Sequence, residues 1–430
     1  MQLVFALAWR NLWRNPRRTL LSASAVGTMV FLLTFAQSMQ LGSYDTMVDH
    51  AASVLHGHVQ VQRADYVDEP RVRYVLDDAE EIAEQLRAVD GVRAATPRAM
   101  SSALASKDET TYGALVVGVD PQWEGEVSWI PGAVDQGRYL ARSESESEAD
   151  TDQSPAAEAV IGELLAQNLQ IGLGDELVLL GVTPEDGMAV LVATVVGLLS
   201  TGQPALDRAM VHVPLGLFQD AFDMQDSAHS VAVMYPNYTD ADGELSTLGN
   251  SVELSTAQTS PDGGAPEFAL WKQLVPEIEG AIASDKASAF VMFAVLVLLA
   301  TFSIANTFVM MLFERTREFG SLLAMGARPG TLRGTIALET LMLATLGALV
   351  GAILGAAVSY YVGQAGISLG SEAENVLAQF QMPERIYFGV AWKALFGISL
   401  LMIVTTQIAA FIATRRVHSM QIVQAIREEM

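Results

Sequence analysis

Four stretches of this chain are apolar over more than 20 residues, and they are unevenly spaced: residues 19–42, then 287–313, 335–363 and 394–414. The hydrocarbon core of a bilayer takes about 20 apolar residues of helix. A backbone that crosses it must satisfy its own hydrogen bonds, which a helix does. Each stretch therefore reads as a membrane span. Three carry no charge, and the third holds Glu339 near its start. The fold class expected is an α-helical membrane protein with four transmembrane helices and a large extracytoplasmic α+β domain inserted between the first and second. Four crossings put both ends of the chain on one side.

Arginine decides which side. Arg10, Arg14, Arg17 and Arg18 precede the first span, Arg415, Arg416 and Arg427 follow the fourth, and Arg315, Arg317, Arg328 and Arg333 lie between the second and third. By the positive-inside rule this face is cytoplasmic. The 430 residues carry a formal charge of -24, and most of the acids fall in residues 43–286, the external part. Such a balance excludes nucleic acid as a partner and describes a self-repelling, soluble surface. Cysteine is absent, so the external domain folds without disulfides. The first apolar run is too long for a cleaved signal and reads as an uncleaved anchor. Before it, residues 1–18 place Phe5, Trp9, Leu12 and Trp13 on one face and arginines on the other, as in an interfacial helix anchored at the inner leaflet.

The external domain, residues 43–286, opens with a stalk at 43–53 that continues the first span. Residues 56–62 alternate like a strand, with His56 and His58 directed to one face, where they could touch a metal; no third ligand accompanies them. A helix is expected over 77–89, strands over 92–106 and 111–119 with a turn at 107–109, and an inner β-rich insert over about 120–215, giving two lobes. The run SESESEADTDQSP at 143–155 cannot bury enough apolar surface to order and reads as a mobile acidic loop. Residues 227–235 read as a strand returning to the first lobe. The polar stretch 237–267 carries no clear pattern, and 271–284 leads helically into the second span.

Catalytic patterns are missing from the sequence. A phosphate-binding loop needs lysine after glycine, whereas Lys107, Lys272, Lys286 and Lys393 follow Ser106, Trp271, Asp285 and Trp392. There is no nucleophile elbow and no zinc-protease helix. The expectation is that the chain is not an enzyme and holds no cofactor or metal.

Residues 314–334, ERTREFGSLLAMGARPGTLRG, form the most informative loop. Phe319, Leu322 and Leu323 fall on one face of a short helix. Gly326 can end it in a left-handed conformation, and Pro329 suits the first turn of the next span. Glu339, one turn into that span, is costly there and needs a cation, with Arg333 or an arginine of the loop as partner. Gly347, Gly351 and Gly355 recur every four residues and admit a close helix. Packing within one chain is favoured over a dimer seam.

One span, some 240 external residues and three further spans, with Glu314-Arg315-Thr316-Arg317-Glu318-Phe319-Gly320 and Ala324-Met325-Gly326-Ala327 after the second, resemble permeases of the FtsX-like, MacB-type ABC transporter superfamily. Glu339 and the glycine ladder occupy matching places. Asn306-Thr307 and the Arg-Glu-Phe-Gly run are similar to lipoprotein-releasing permeases of the LolC/LolE type. The tail, residues 415–430, lacks the proline usual in that family's final short helix.

The resemblance implies a permease in the bacterial inner membrane that docks on a cytoplasmic ABC ATPase, which would hold ATP and Mg, and that pairs with a second permease. Residues 314–334 would be the coupling helix, with Arg315, Arg317, Glu318, Phe319, Leu322, Leu323 and Met325 in contact with the ATPase. Lipid-anchored cargo, or lipoproteins, would be released or translocated; Phe31, Phe35, Phe302 and Asn306 are candidates for a chamber open to membrane lipid. The other readings are MacB-like efflux, FtsX-like mechanotransmission to a periplasmic carrier or adaptor, and a scaffold or receptor that never meets an ATPase. Residues 364–393 form a short external loop in every case. Cysteines placed at Ser147 and Ser246 should react with an impermeant thiol reagent when only the outer envelope is opened, and one at Ser419 should not; labelling of Ser419 would refute the four-span topology.

Overall fold

The computed structural model describes residues 8–141, 157–251, 265–368 and 385–417, save 11, 15, 65, 68, 316, 317, 319, 322, 323, 327 and 328. The acidic run at 143–155, Phe5 and residues 418–430 of the tail lie outside these. The chain divides into two compact units, one from the described parts of 1–44, 282–368 and 385–430, the other from 45–281.

Among the described residues four helices are long and apolar enough to cross a membrane. They are α1 (Pro16–Leu55), α9 (Pro276–Glu314), α10 (Pro329–Ala365) and α11 (Trp392–Val417). At 40, 39 and 37 residues, the first three outrun the roughly 20 residues of a bilayer core. Their extra turns are polar and read as extensions beyond the spans. The bundle closes around Val26, Val30 and Leu33 of α1, Ala300, Ile304 and Phe308 of α9, Ala348 of α10, and Met402 and Ala410 of α11. The three α9 residues recur every four positions, a stripe that buries one side of that helix. Gly347 and Gly351 of α10 lie against the backbone carbonyls of Ala23 and Gly27 in α1, closer than any side-chain carbon permits, and Gly355 packs on Thr34. The glycine ladder thus joins the first and third spans of one chain, where small residues let backbones approach.

The second unit is built on one ten-stranded sheet in the order β10-β1-β9-β2-β3-β8-β5-β7-β4, with β6 pairing β2 and β7. Its strands are β1 (Val59–Arg63), β2 (Ala94–Lys107), β3 (Thr110–Val119), β4 (Val134–Gly137), β5 (Glu158–Gly162), β6 (Glu176–Val182), β7 (Met188–Leu199), β8 (Met210–Pro214), β9 (Ser230–Met234) and β10 (Pro266–Leu270). β2 is the common member: its first half pairs β9 and its second half β3 and β6. The strands expected as a separate insert at 120–215 therefore extend the same sheet. The reason is the length of β2, 14 residues, about twice that of a typical strand.

Helices cover the sheet unevenly. α2 (Ala79–Arg87) and α7 (Tyr238–Ser251) pack Ile82, Leu86, Ala241 and Leu248 on β1 and β9. α4 (Glu163–Leu169) and α6 (Leu215–Phe222) pack Leu165, Leu169, Phe218 and Phe222 on the inward residues of β2, β6 and β7. On the opposite face Val54 of α1, Ile130 and Leu140 cover only the part around Val117, Val119 and Val160. Three short helices complete the unit, α3 (Glu124–Val127), α5 (Pro204–Ala209) and α8 (Trp271–Leu274). The stretch 237–267, patternless in sequence, contains α7 and the first two residues of β10.

The histidines depart from the sequence expectation. Gly57 turns the chain with φ 76°, so β1 starts at Val59 and His56 lies outside it. His56 Nδ1 meets Gln60 at 2.9 Å, while His58 Nε2 donates to Asp49 at 2.8 Å. The pair shares no ligand face, and among the described residues no three acidic or imidazole groups cluster as a metal site. His229 and His212 are fully enclosed. His229 Nδ1 accepts from the Met100 amide at 3.0 Å and its Nε2 donates to the Val72 carbonyl at 2.9 Å. Both ring nitrogens are thus matched as a neutral imidazole, and a second ring proton would face a donor. Burial pulls His229 down to about 4; burial, helped by the Arg98 charge, pulls His212 down to about 3. In the unfolded chain both titrate near 6.5. The native state therefore binds fewer protons below that pH. Stability is full above about pH 6.5 and falls as pH drops toward 4, by up to about 1.4 kcal/mol per pH unit for each histidine. Melting temperatures of the full chain between pH 7.5 and 5 should decline less steeply in His229→Gln than in the wild type; equal slopes would rule out a neutral buried His229.

Candidate coupling site

The corner between α9 and α10 is shaped by helix punctuation. α9 ends at Glu314, and helical residues recur at 318, 320, 321 and 324. Gly326 then adopts φ 91°, a conformation that costs glycine nothing and other residues strain. Pro329 opens α10, where its missing amide proton leaves no bond unmade.

Four charges cross this corner in a row. Arg14, in the helical residues before α1, donates to Glu318. Arg315 Nε is 3.3 Å from Glu318, and its Nη1 donates to both oxygens of Glu339 at 3.0 and 2.9 Å. Thr340, the next residue of α10, has its hydroxyl 3.3 Å from the Gln407 amide of α11. The row ties the N-terminal segment, the corner and the third span together.

Burial ranks its links. Arg315 and Glu339 side chains are 12% and 9% exposed, Arg14 and Glu318 57% and 41%. Removing one member of an enclosed pair strands the other and costs about 3–5 kcal/mol. An exposed pair contributes roughly 0–1 kcal/mol. Partial burial works to raise the Glu318 carboxyl, but hydrogen bonds from Arg14 and Arg315 outweigh it and hold the group below its ordinary range.

Arg333, one of the partners expected for Glu339, is exposed instead. The two lie six positions apart on one helix, which turns them about 120° from each other. Arg315 reaches Glu339 from the preceding segment. Arg14 acts as a partner of the corner, a role the amphipathic pattern alone did not indicate. Met325 is exposed at the apex. Arg317, Phe319, Leu322 and Leu323 lie outside the described residues. Of the chamber candidates, Phe31 stacks on Phe35, and Phe35 packs edge-on against Phe388 just before α11. Phe302 and Asn306 are exposed on α9.

A second charged centre, unnoticed in the sequence, lies in the external unit. Arg98 of β2 and Glu124 of α3 are wholly buried. Arg98 donates to Glu124 through Nη2 at 2.7 Å and Nε at 3.3 Å, and through Nη1 to the Val54 carbonyl at 3.3 Å. Val54 stands one residue before the end of α1, where carbonyls lack helical partners and carry the negative end of the dipole. Burial pushes the Glu124 carboxyl upward, and the Arg98 charge opposes this. Arginine on an otherwise inward-facing strand was the available signal, since such a charge demands a partner.

The external sheet and the four apolar helices define a membrane protein with one large domain outside its spans. Two family descriptions match it, "MacB-like periplasmic core domain" over residues 20–243 and "FtsX-like permease C-terminal" over residues 290–422. The chain belongs to the ABC transporter permeases of the FtsX/MacB type. Such permeases work with a cytoplasmic ABC ATPase and are not ATPases themselves. Among solved structures it is similar to the extracellular domain of the ABC-type transporter YknZ from Gram-positive bacteria, at 16% identity over 49% of this chain and 98% of that one, TM-score 0.34. It is also similar to the periplasmic region of MacB from Actinobacillus actinomycetemcomitans, at 17% identity over 51% and 92%, TM-score 0.35.

Replacing Arg315 with Leu should destabilise the detergent-solubilised protein by about 3 kcal/mol, because Glu339 is left enclosed without a cation. The double variant Arg315→Leu/Glu339→Leu should recover at least half of the loss in thermal unfolding. A double variant as unstable as the sum of both singles would mean the two residues act independently.

Proposed function

We propose that this permease transmits the stroke of a partner ATPase, loaded with ATP and Mg, through residues 314–334 to its external domain, and that the motion releases or translocates a lipid-anchored cargo at the bacterial inner membrane. The carrying observation is the outer face of α9. Val291, Val295, Leu298 and Phe302 are exposed there, and Asn306 continues the same side. A bare amide is unfavourable against lipid tails and is expected at a helix contact or cavity wall. This supports a seam between two permeases that meet through α9 and leave an apolar space beside it. Acyl chains gain roughly 0.8 kcal/mol per buried methylene in such a space, whereas a peptide backbone would lose water without new partners.

A second reading, mechanical transmission to a periplasmic partner without transport, draws on the Arg98 clamp. α1 is unbroken from Pro16 to Leu55, and its Val54 carbonyl is held by a buried guanidinium, so displacement of that helix end would pull on the sheet.

Two experiments bear on these proposals. A photo-crosslinker at Phe302 should capture a lipidated protein, while one at Phe35, packed on Phe388, should give adducts within the chain. Adducts at Phe302 confined to permease subunits, and unchanged when lipidation is blocked, would leave mechanical transmission. Phe319→Asp should weaken ATPase binding by roughly 2 kcal/mol or more, as when a charge replaces a packed anchor; a variant complex that keeps its ATPase and its substrate-dependent activity would overturn the coupling role of residues 314–334.

A further inference from the structure

The face of the external sheet that no described helix covers carries a trough away from Arg98 and Glu124. Burial alternates along β6 and β7: Leu177, Leu179, Ala189 and Leu191 face the helices, while Leu180, Val182, Met188 and Val190 are left 37–80% exposed. Their register makes one surface, since Leu180 opposes both Leu104 and Val190, and Val182 opposes Met188. The hollow over it has a volume of about 730 Å³ and is lined without a single charged residue. In a chain of net charge -24, a neutral apolar face of this kind marks a binding surface.

One strand residue gives the trough its depth. Gly113 of β3 is exposed within it, and a side-chain carbon built there would meet nothing within 4 Å. The surface also continues the enclosed apolar cluster beneath Val54, to which Leu55, Met100 and Leu115 belong.

At its other end the trough opens into a second hollow of about 680 Å³, and the two share Ser102, Leu115 and Val182. Here the lining changes to include Arg71, Arg73 and Asp186. Arg63, Arg71 and Arg73 gather around the Tyr74 ring at 5.0, 6.0 and 5.8 Å. Arg71 also pairs with Glu69. Arg63 is 4% exposed, and one of its guanidinium nitrogens has no hydrogen-bond partner. Three guanidinium groups within one ring's reach are a local reversal of the domain's charge.

We propose that this composite groove binds an anionic lipid, the acyl chain lying over Leu104, Leu180 and Met188 and the head group meeting Arg71 and Arg73. An apolar channel that ends at cations fits an amphiphile with a negative head. Each volume falls within the roughly 300–1,000 Å³ of small-molecule sites. A flat protein partner would use the apolar face but not its passage into the arginine-lined hollow. The inference does not rest on the cargo reading above, since a free lipid fills the groove equally well. Leu55, at the end of α1, lines the head-group hollow, so occupancy would bear directly on the helix that Arg98 clamps.

The test uses the full chain in nanodiscs and a diazirine-bearing lysophosphatidylglycerol, with the phosphatidylcholine analogue as comparison. Adducts should concentrate in peptides from β2–β3 and β6–β7, with the anionic probe favoured. Gly113→Trp, which fills the trough from an open position, should lower the yield about tenfold, equivalent to roughly 1.4 kcal/mol. Arg71→Gln/Arg73→Gln should abolish the preference for the anionic head. Leu180→Asp, a surface change, gives the same reading if Gly113→Trp does not fold. Labelling indifferent to the trough substitutions, equal labelling by both probes in the wild type, or protection of these strands by a bound protein in lipid-free samples would overturn the proposal.

Discussion

A charge or a backbone amide withdrawn from water must find its partner inside the protein, and this constraint governs both units. Within the spans it leaves helices as the form the backbone takes. It also explains why the one acid of α10, Glu339, is bound by both its oxygens to Arg315 rather than left to the lipid. In the external unit the same requirement places Glu124 against Arg98 and directs the remaining guanidinium nitrogen to the end of α1. Enclosed pairs of this kind add little net stability compared with apolar packing. Their effect is directional, since each is satisfied in only one arrangement of the segments it joins.

Those segments are held in one register by the charges that join them. Arg315 comes from just past the end of α9, Glu339 from the third turn of α10, and Arg14 reaches Glu318 from the residues before α1. The corner is thus bonded to three elements at once. The glycine ladder adds a second constraint between α1 and α10, because backbones in direct contact have little freedom to separate or slide. Arg98 supplies the equivalent fixation at the far end of α1. The exposed link of Arg14 with Glu318 is the weakest of these, because water competes for both groups.

The ten-stranded sheet shows a different economy. Helices α2, α4, α6 and α7 pack on one face, and among the described residues the other is closed only where α1 ends and Ile130 and Leu140 lie. The strands β6 and β7 thereby keep apolar residues on both sides, although one side is open. An antiparallel sheet with water on one face ordinarily carries polar residues there. Val182, Met188 and Val190 depart from that rule, and a departure on a strongly acidic domain implies a ligand or partner for the face.

Much of this was determined by the sequence alone. Uncharged runs long enough for a bilayer set the number of spans, and arginine placed the corner at 314–334 on the side of the termini. Gly326 and Pro329 marked the corner's turns, because φ and the missing amide proton are properties of single residues. Alternation located β2 and β3, and the four-residue spacing of glycines announced a close helix. Tertiary structure decided the pairings. Arg333 was as plausible a partner for Glu339 as Arg315 until the helix turned it away, and Arg98 with Glu124, 26 positions apart, had no local signal to connect them. His56 and His58 seemed to share a face until Gly57 bent the chain between them. Local patterns report conformation because they act through a residue and its near neighbours. Which distant groups meet depends on how helices and strands pack, and that is set by the sum of many contacts that no short stretch contains.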